Sequence, residues 1–316
     1  MNKKSLFVIT MSLLIALTSI CISSNAQDKV YASFMSAEKI KSITANPSTG
    51  TTTGNFGSEM SVQKTAGIGY GIYNGIGWIL SLQYTTSNHV DIYARKADGS
   101  GSNVKIKNNA EIGNTDDLMD YVRLGIDQNG IGWVISKESW SNDIHVASFT
   151  WNGNTANAPV VTKRGKLTTT DNSNSVFING DLAIAGGTIF VLANNGYNIT
   201  KIYTASSTTL LAANSSSTTN FSYKWTLKKA DGSDFNAPVN GFAFSSTGSA
   251  YLSTSVGLYF IDQFSTNFSG TGTVKCTLKE FQSDLSDLAT GYWPATTALP
   301  VKIRDIKVTL SHSKIK

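Results

Sequence analysis

The sequence predicts an all-β protein, a five-bladed β-propeller in which strands from both ends of the chain share one blade. Three observations carry this. A glycine-flanked aromatic motif recurs at long, regular spacing. Strand signals are dense and helix signals nearly absent. Two orphan strands, one near each end, match different positions of the same repeat.

The repeat is clearest in Asn74 to Ser81, which recurs almost letter for letter as Asn129 to Ser136. Weaker copies follow at Gly186 to Ala193 and Thr247 to Thr254. The matched aromatics Trp78, Trp133, Phe190 and Tyr251 are spaced 55, 57 and 61 residues apart. A period of that size marks a repeat architecture. Within the second unit, strands are expected at Tyr121 to Asp127, Ile131 to Ser136, Ile144 to Phe149 and from Pro159, separated by Asn-Gly and polar turns. Four antiparallel strands in about 50–60 residues read as a propeller blade. Complete units are expected at 66–113, 117–170, 175–235 and 238–282. Lys29 to Ser33 reads as a second strand without a first, and Leu285 to Ala289 as a first without a second. Pairing them completes a fifth blade and removes exposed sheet edges. Ser206 to Asn220, rich in Ser, Thr and Asn, is expected to be a long loop.

Residues 1–26 read as a signal peptide. Lys3 and Lys4 precede a short apolar run from Leu6 to Leu17, and Ser24-Asn25-Ala26 forms a small-residue cleavage site. Thr18-Ser19-Ile20 before Cys21 fits lipoprotein processing poorly. Residues 27–300 then form a single domain, and 301–316 a basic tail. No later stretch reaches the ~18 apolar residues of a spanning helix, so the mature chain is expected to be exported to the periplasm, cell surface or exterior, without a transmembrane segment. Cys276 alone remains after the leader, which rules out an intrachain disulfide and a cysteine-based metal site. It is expected to be an inert core residue. The net charge of +5 becomes +3 in the mature chain, with 24 basic against 21 acidic residues. That mild, scattered charge lacks the basic face of a nucleic-acid binder.

The segment Gly241 to Thr254, followed by Gly257 to Asp262, resembles the repeats of secreted bacterial β-propellers. Ala298 to Ile303 is similar to the Leu-Pro-Val-Lys segment of exported Bacteroidetes proteins, where it commonly leads into a C-terminal sorting domain. No such domain is expected here, because the chain stops at Lys316. The resemblance is architectural and implies no catalytic residues.

The search for chemistry yields few candidates. His89 and His145 sit at equivalent strand starts and read as surface residues rather than metal ligands. No metal-binding, calcium-loop, phosphate-loop or serine-hydrolase motif is present, and no cofactor is expected. Lys-Ala-Asp-Gly-Ser, at 96–100 and 229–233, reads as a tight turn. Aligning the first strands places Ile68, Arg123, Asp181, Phe242 and Asp287 in equivalent, funnel-facing positions. Arg123, Asp181 and Asp287 form either a sugar-cleaving set or a structural one, with the carboxylates bonded to nearby backbone and Arg123 paired to Asp181. Trp140 and Trp151, in polar turns, are candidate ligand-stacking platforms; packing between blades is the alternative. The leading expectation is a non-catalytic exported propeller that binds a glycan or a protein on one face. A glycoside hydrolase or lyase and a self-assembling envelope protein are the alternatives.

Overall fold

The computed structural model describes residues 27–294, apart from 35–36, 64–65, 114–118, 139–143, 170–178, 195–199, 263 and 265–269. The signal-peptide segment, the basic tail and Trp140 lie outside the described residues.

The chain is nearly all-β. The second to fourth strands of the composite group are β1 (Asp28–Phe34), β2 (Ala37–Ala45) and β3 (Thr52–Ser61). The next group holds β4 (Gly67–Tyr73), β5 (Ile76–Tyr84), β6 (His89–Lys96) and β7 (Val104–Glu111). Then come β8 (Met119–Ile126), β9 (Gly132–Glu138), β10 (Ile144–Thr150) and β11 (Val160–Thr169). A further set is β12 (Asn179–Ala185), β13 (Thr188–Asn194), β14 (Lys201–Ser206) and β15 (Thr218–Lys229). The last is β16 (Gly241–Phe244), β17 (Ala250–Ser253), β18 (Gly257–Ile261) and β19 (Gly272–Phe281), before β20 (Leu285–Ala289).

Consecutive strands pair antiparallel within each group. β20 pairs with β1, Tyr31 opposite Ala289 and Ser33 opposite Asp287, so both ends of the described chain meet in one four-stranded sheet. Hydrogen-bonded ladders do not run around the whole molecule. Two sheets stand alone at four strands each, and the outer strands β11, β15 and β19 pair in parallel to fuse the remaining twelve strands into one sheet. That parallel seam was not legible in the sequence, because it joins the last strands of different repeats. The turn between β4 and β5 uses Asn74 and Gly75 at φ 52° and 75°, the left-handed conformation that a two-residue hairpin demands.

The first strands lie side by side: β4 against β8, β8 against β12, β12 against β16, β16 against β20 and β20 against β4. Each repeated aromatic fills the apolar interface with the following group. Trp78 packs with Val122, Leu124 and Ile126. Trp133 packs with Leu182 and Ile184. Phe190 meets Phe242 and Phe244, and Tyr251 meets Leu285 and Leu288. Tyr31 plays the same part against Ile68. Cys276 is buried in this core, where burial pushes its thiol up to about 12.

Two expectations are corrected. The 206–220 segment is not a loop throughout: Ser206 caps a short helix, α1 (Ser207–Ala212), that buries Leu210, and β15 begins at Thr218. His145 is not a surface residue. Both faces of β10 are buried, Ile144 and Val146 in one apolar cluster and Ala147 and Phe149 in another, and His145 Nε2 lies 2.7 Å from Glu138 Oε1, with both side chains buried.

If β20 closes the composite sheet, deleting residues 285–316 removes the buried Leu285 and Leu288, each worth roughly 1.5–3 kcal/mol, and exposes the edges of β1, β4 and β16. Thermal melts of residues 27–284 and 27–316 are expected to show a large fall in the midpoint on truncation. Coincident melts would contradict this role of β20.

Candidate functional site

The register across each first-strand pair fixes what faces the axis. Arg123 lies opposite Ile135, Asp181 opposite Leu192 and Asp287 opposite Ser33, each two residues beyond the repeated aromatic. The equivalent residues on the other two strands are Gly69, opposite Leu80, and Gly241, opposite Ser253. Ile68 and Phe242 are therefore one position off the expected alignment, and a one-residue step in a strand turns the side chain to the opposite face. Gly241 has a steric reason to lack a side chain: a Cβ there would stand 2.5 Å from the backbone nitrogen of Leu288.

Arg123, Asp181 and Asp287 are brought together, but in a sealed environment. Both aspartates are fully buried and Arg123 is nearly so. The main-chain N–H of Ile68 donates to Asp287 Oδ2 at 2.7 Å, and that of Leu288 to Oδ1 at 2.7 Å. The N–H of Phe242 donates to Asp181 Oδ2. The two carboxyl groups are held side by side: a Cβ on Gly241, the residue before Phe242, would stand 2.5 Å from the Leu288 nitrogen that Asp287 binds. Arg123 directs its guanidinium at carbonyl oxygens rather than at Asp181: Gly180 (3.0 Å), Ala66 (3.1 Å) and Val122 (3.0 Å), with Asn179 Oδ1 at 3.2 Å. Asn179 passes the chain on to Asn240 Oδ1 (2.9 Å), and Asn240 to the carbonyl of Leu285 (2.8 Å). These bonds tie the starts of all five first strands together.

This geometry does not suit glycoside cleavage. Paired carboxyls in such enzymes stand about 5 Å or more apart, with the sugar between them. Here both carboxyls are fully buried, with no room between them for a sugar. The aspartates accept main-chain N–H groups, and Arg123 donates to strand-end carbonyls instead of pairing with Asp181.

Trp151 is likewise no platform. It is buried between two groups, edge-on to Tyr73 (4.9 Å) and Trp78 (5.3 Å), and its indole N–H donates to the carbonyls of Asn154 and Asn157. The surrounding Asn-rich turn folds back over it, which made its sequence look exposed.

A different aromatic group lies at the other end of the first strands, beside the hairpin turns. After β20 the chain runs through Gly291, Tyr292 and Trp293 across the mouth of a small axial cavity of about 30 Å³ lined by all five first strands. Trp293 is half-buried, and its Nε1 donates to the carbonyl of Ile126 at 2.6 Å. Its ring lies 6.3 Å from Tyr70, which stacks on Tyr31 at 5.9 Å. On its other side is a second hollow of about 20 Å³, bordered by Gln128, Asn129, Gly187 and Ser207. Sequence reasoning passed over Trp293; the usable signal was an aromatic pair directly following the closing strand.

No protein-family model matches the chain, and no curated protein is significantly similar to it. Among solved structures, the chain is similar to a protein of unknown function from Bacteroides caccae, at 9% identity and TM-score 0.39 over 84% of this chain and 99% of that one. It is similar to a GH43 endo-arabinanase from Bacillus licheniformis, at 12% identity and TM-score 0.42 over 78% of this chain and 88% of that one. A glycosyl hydrolase from Bacteroides ovatus matches at 13% identity and TM-score 0.35 over 72% of this chain and 67% of that one.

Trp151→Ala is expected to lower the unfolding free energy by about 3–5 kcal/mol, as a buried tryptophan does. A loss below about 0.5 kcal/mol in denaturant unfolding, the range of an exposed site, would contradict its placement.

Proposed function

We propose that this chain is an exported, non-catalytic five-bladed β-propeller, closed by its two ends, that binds a neutral glycan on the face carrying Tyr70, Tyr292 and Trp293. The ring reading is supported by the β1–β20 pairing and by the side-by-side packing of the five first strands. Export rests on the leader at residues 1–26. Among the described residues, no helix is long and apolar enough to cross a membrane.

One observation carries the binding reading. Of the described tryptophans, Trp78, Trp133, Trp151 and Trp225 are buried, and Trp293 is the one left half-exposed, on the axis of the first strands. A flat apolar ring beside amide and hydroxyl groups is what sugar recognition uses: the ring covers the C–H face of a pyranose, and the polar groups take its hydroxyls. Gln128 and Asn129 supply the polar groups. The ligand is assigned as neutral because the acid lining these hollows, Asp127, is already engaged. Its carboxylate accepts from the N–H groups of Asn129 and Ile131 and from Trp133 Nε1.

A glycan array probed with residues 27–316 tests this. Neutral oligosaccharides are expected to bind, and Trp293→Ala is expected to weaken binding at least about tenfold, or ~1.4 kcal/mol, at a temperature where the variant is still folded. Absence of any glycan above background, or undiminished binding by the variant, would overturn the reading.

A further inference from the structure

We propose that Asp181 and Asp287 hold a shared proton at the centre of the five first strands, so that folding takes up a proton there and the assembly is firmer in mildly acidic than in alkaline surroundings. This is independent of the ligand reading.

The donors around the pair decide which carboxyl carries the proton. Both oxygens of Asp287 already receive main-chain N–H groups, from Ile68 and Leu288. That arrangement favours the anion. Asp181 Oδ2 receives the N–H of Phe242, whereas its buried Oδ1 has no hydrogen-bond donor among the described residues. A proton on Oδ1, directed at Asp287, satisfies that oxygen and links the two groups. Without it, two anions would lie side by side in a site sealed from water, where repulsion and lost hydration act together.

Few other charges face the pair. β8 brings Arg123, whose N–H groups go to strand-end carbonyls and Asn179. β4 brings Gly67 and Ile68, β16 brings Gly241 and Phe242, and β1 brings Ser33 opposite Asp287; none of these ionises. One guanidinium compensates one carboxylate, and the second negative charge is removed by protonation. Burial pushes Asp287 up to about 7 against the opposing pull of Arg123. Burial, and after it the charge of Asp287, push Asp181 well above the ordinary carboxyl range.

Both carboxyls therefore bind protons more tightly in the folded chain than in the unfolded one. Their contribution to stability is fully present below the unfolded value of 3.8 and is lost as pH rises through the folded values, about 7 for Asp287 and higher for Asp181. Exposed carboxylates whose values are lowered, such as Asp98 and Asp231, act in the opposite sense. The test must therefore subtract them.

Asp181→Asn does so. Its amide can donate to Asp287 and its carbonyl can accept from Phe242, without a titrating proton. Denaturant unfolding of residues 27–316 from about pH 5 to about pH 9, with and without the substitution, measures the linked protons. Near pH 7 the unsubstituted protein is expected to take up about one proton more on folding than Asp181→Asn, so its stability falls more steeply with pH. Infrared spectra at neutral pH are expected to show a protonated-carboxyl stretch that Asp181→Asn lacks. Parallel stability profiles, or no protonated-carboxyl band in the folded protein at neutral pH, would overturn the proposal. The infrared measurement on the unsubstituted chain decides the matter even if the variant does not fold.

Discussion

The structure depends on a polar circuit at the starts of the five first strands. Within its own group, each of these strands has a hydrogen-bonded neighbour on one side only. Their facing edges approach one another where no water can satisfy them, and a buried main-chain group left unpaired costs about as much as a lost hydrogen bond. Side chains solve this. Arg123 spans the gap between Ala66 and Gly180, and Asn179 and Asn240 continue to Leu285. The aspartates then accept the N–H groups of Ile68 and Phe242 on the adjoining strands. Apolar residues at these positions could fill the space but could not make these bonds.

The two ends of the axis consequently differ in character. At the start of the first strands, polar groups are turned inward on one another and sealed. At their far end the circuit is absent, and Tyr70, Tyr292 and Trp293 border a small cavity, with hydroxyl and amide groups around the adjoining hollow. Carboxylates and an arginine converging from separate repeats resemble a reaction centre in sequence. Their burial and their bonds to main-chain groups of neighbouring strands fasten the first strands together. The half-exposed aromatics at the opposite end carry the proposed ligand site.

Much of the fold was legible because a strand repeat leaves a strong record. The Trp78 and Trp133 motifs marked second strands, and the orphans at 29–33 and 285–289 identified each other by the positions they lacked. Arg123, Asp181 and Asp287 were found by that same alignment. The alignment slipped by one at Ile68 and Phe242, because gaps before a short strand are not fixed by composition, and a slip of one reverses the face. Trp151 was misread because its sequence neighbours are polar while its packing partners, Tyr73 and Trp78, come from another repeat. The buried His145–Glu138 pair was hidden for the same reason: both are polar residues, on β10 and β9, strands buried on both faces. Helix α1 was masked by Ser and Thr, whose weak helix propensity outweighed the capping signal of Ser206. Trp293 has no place in the repeat at all.

Hydrogen exchange of the β1 and β20 amides tests the central claim most directly. If the polar circuit and the pairing of the two ends hold the five first strands as one unit, the amides of β1 and β20 exchange only with the global opening that also releases β8 and β9, and their protection falls in step with overall stability as denaturant is added. Faster exchange of β1 and β20, independent of denaturant while β8 and β9 stay protected, would show that the ends open locally and would contradict the account.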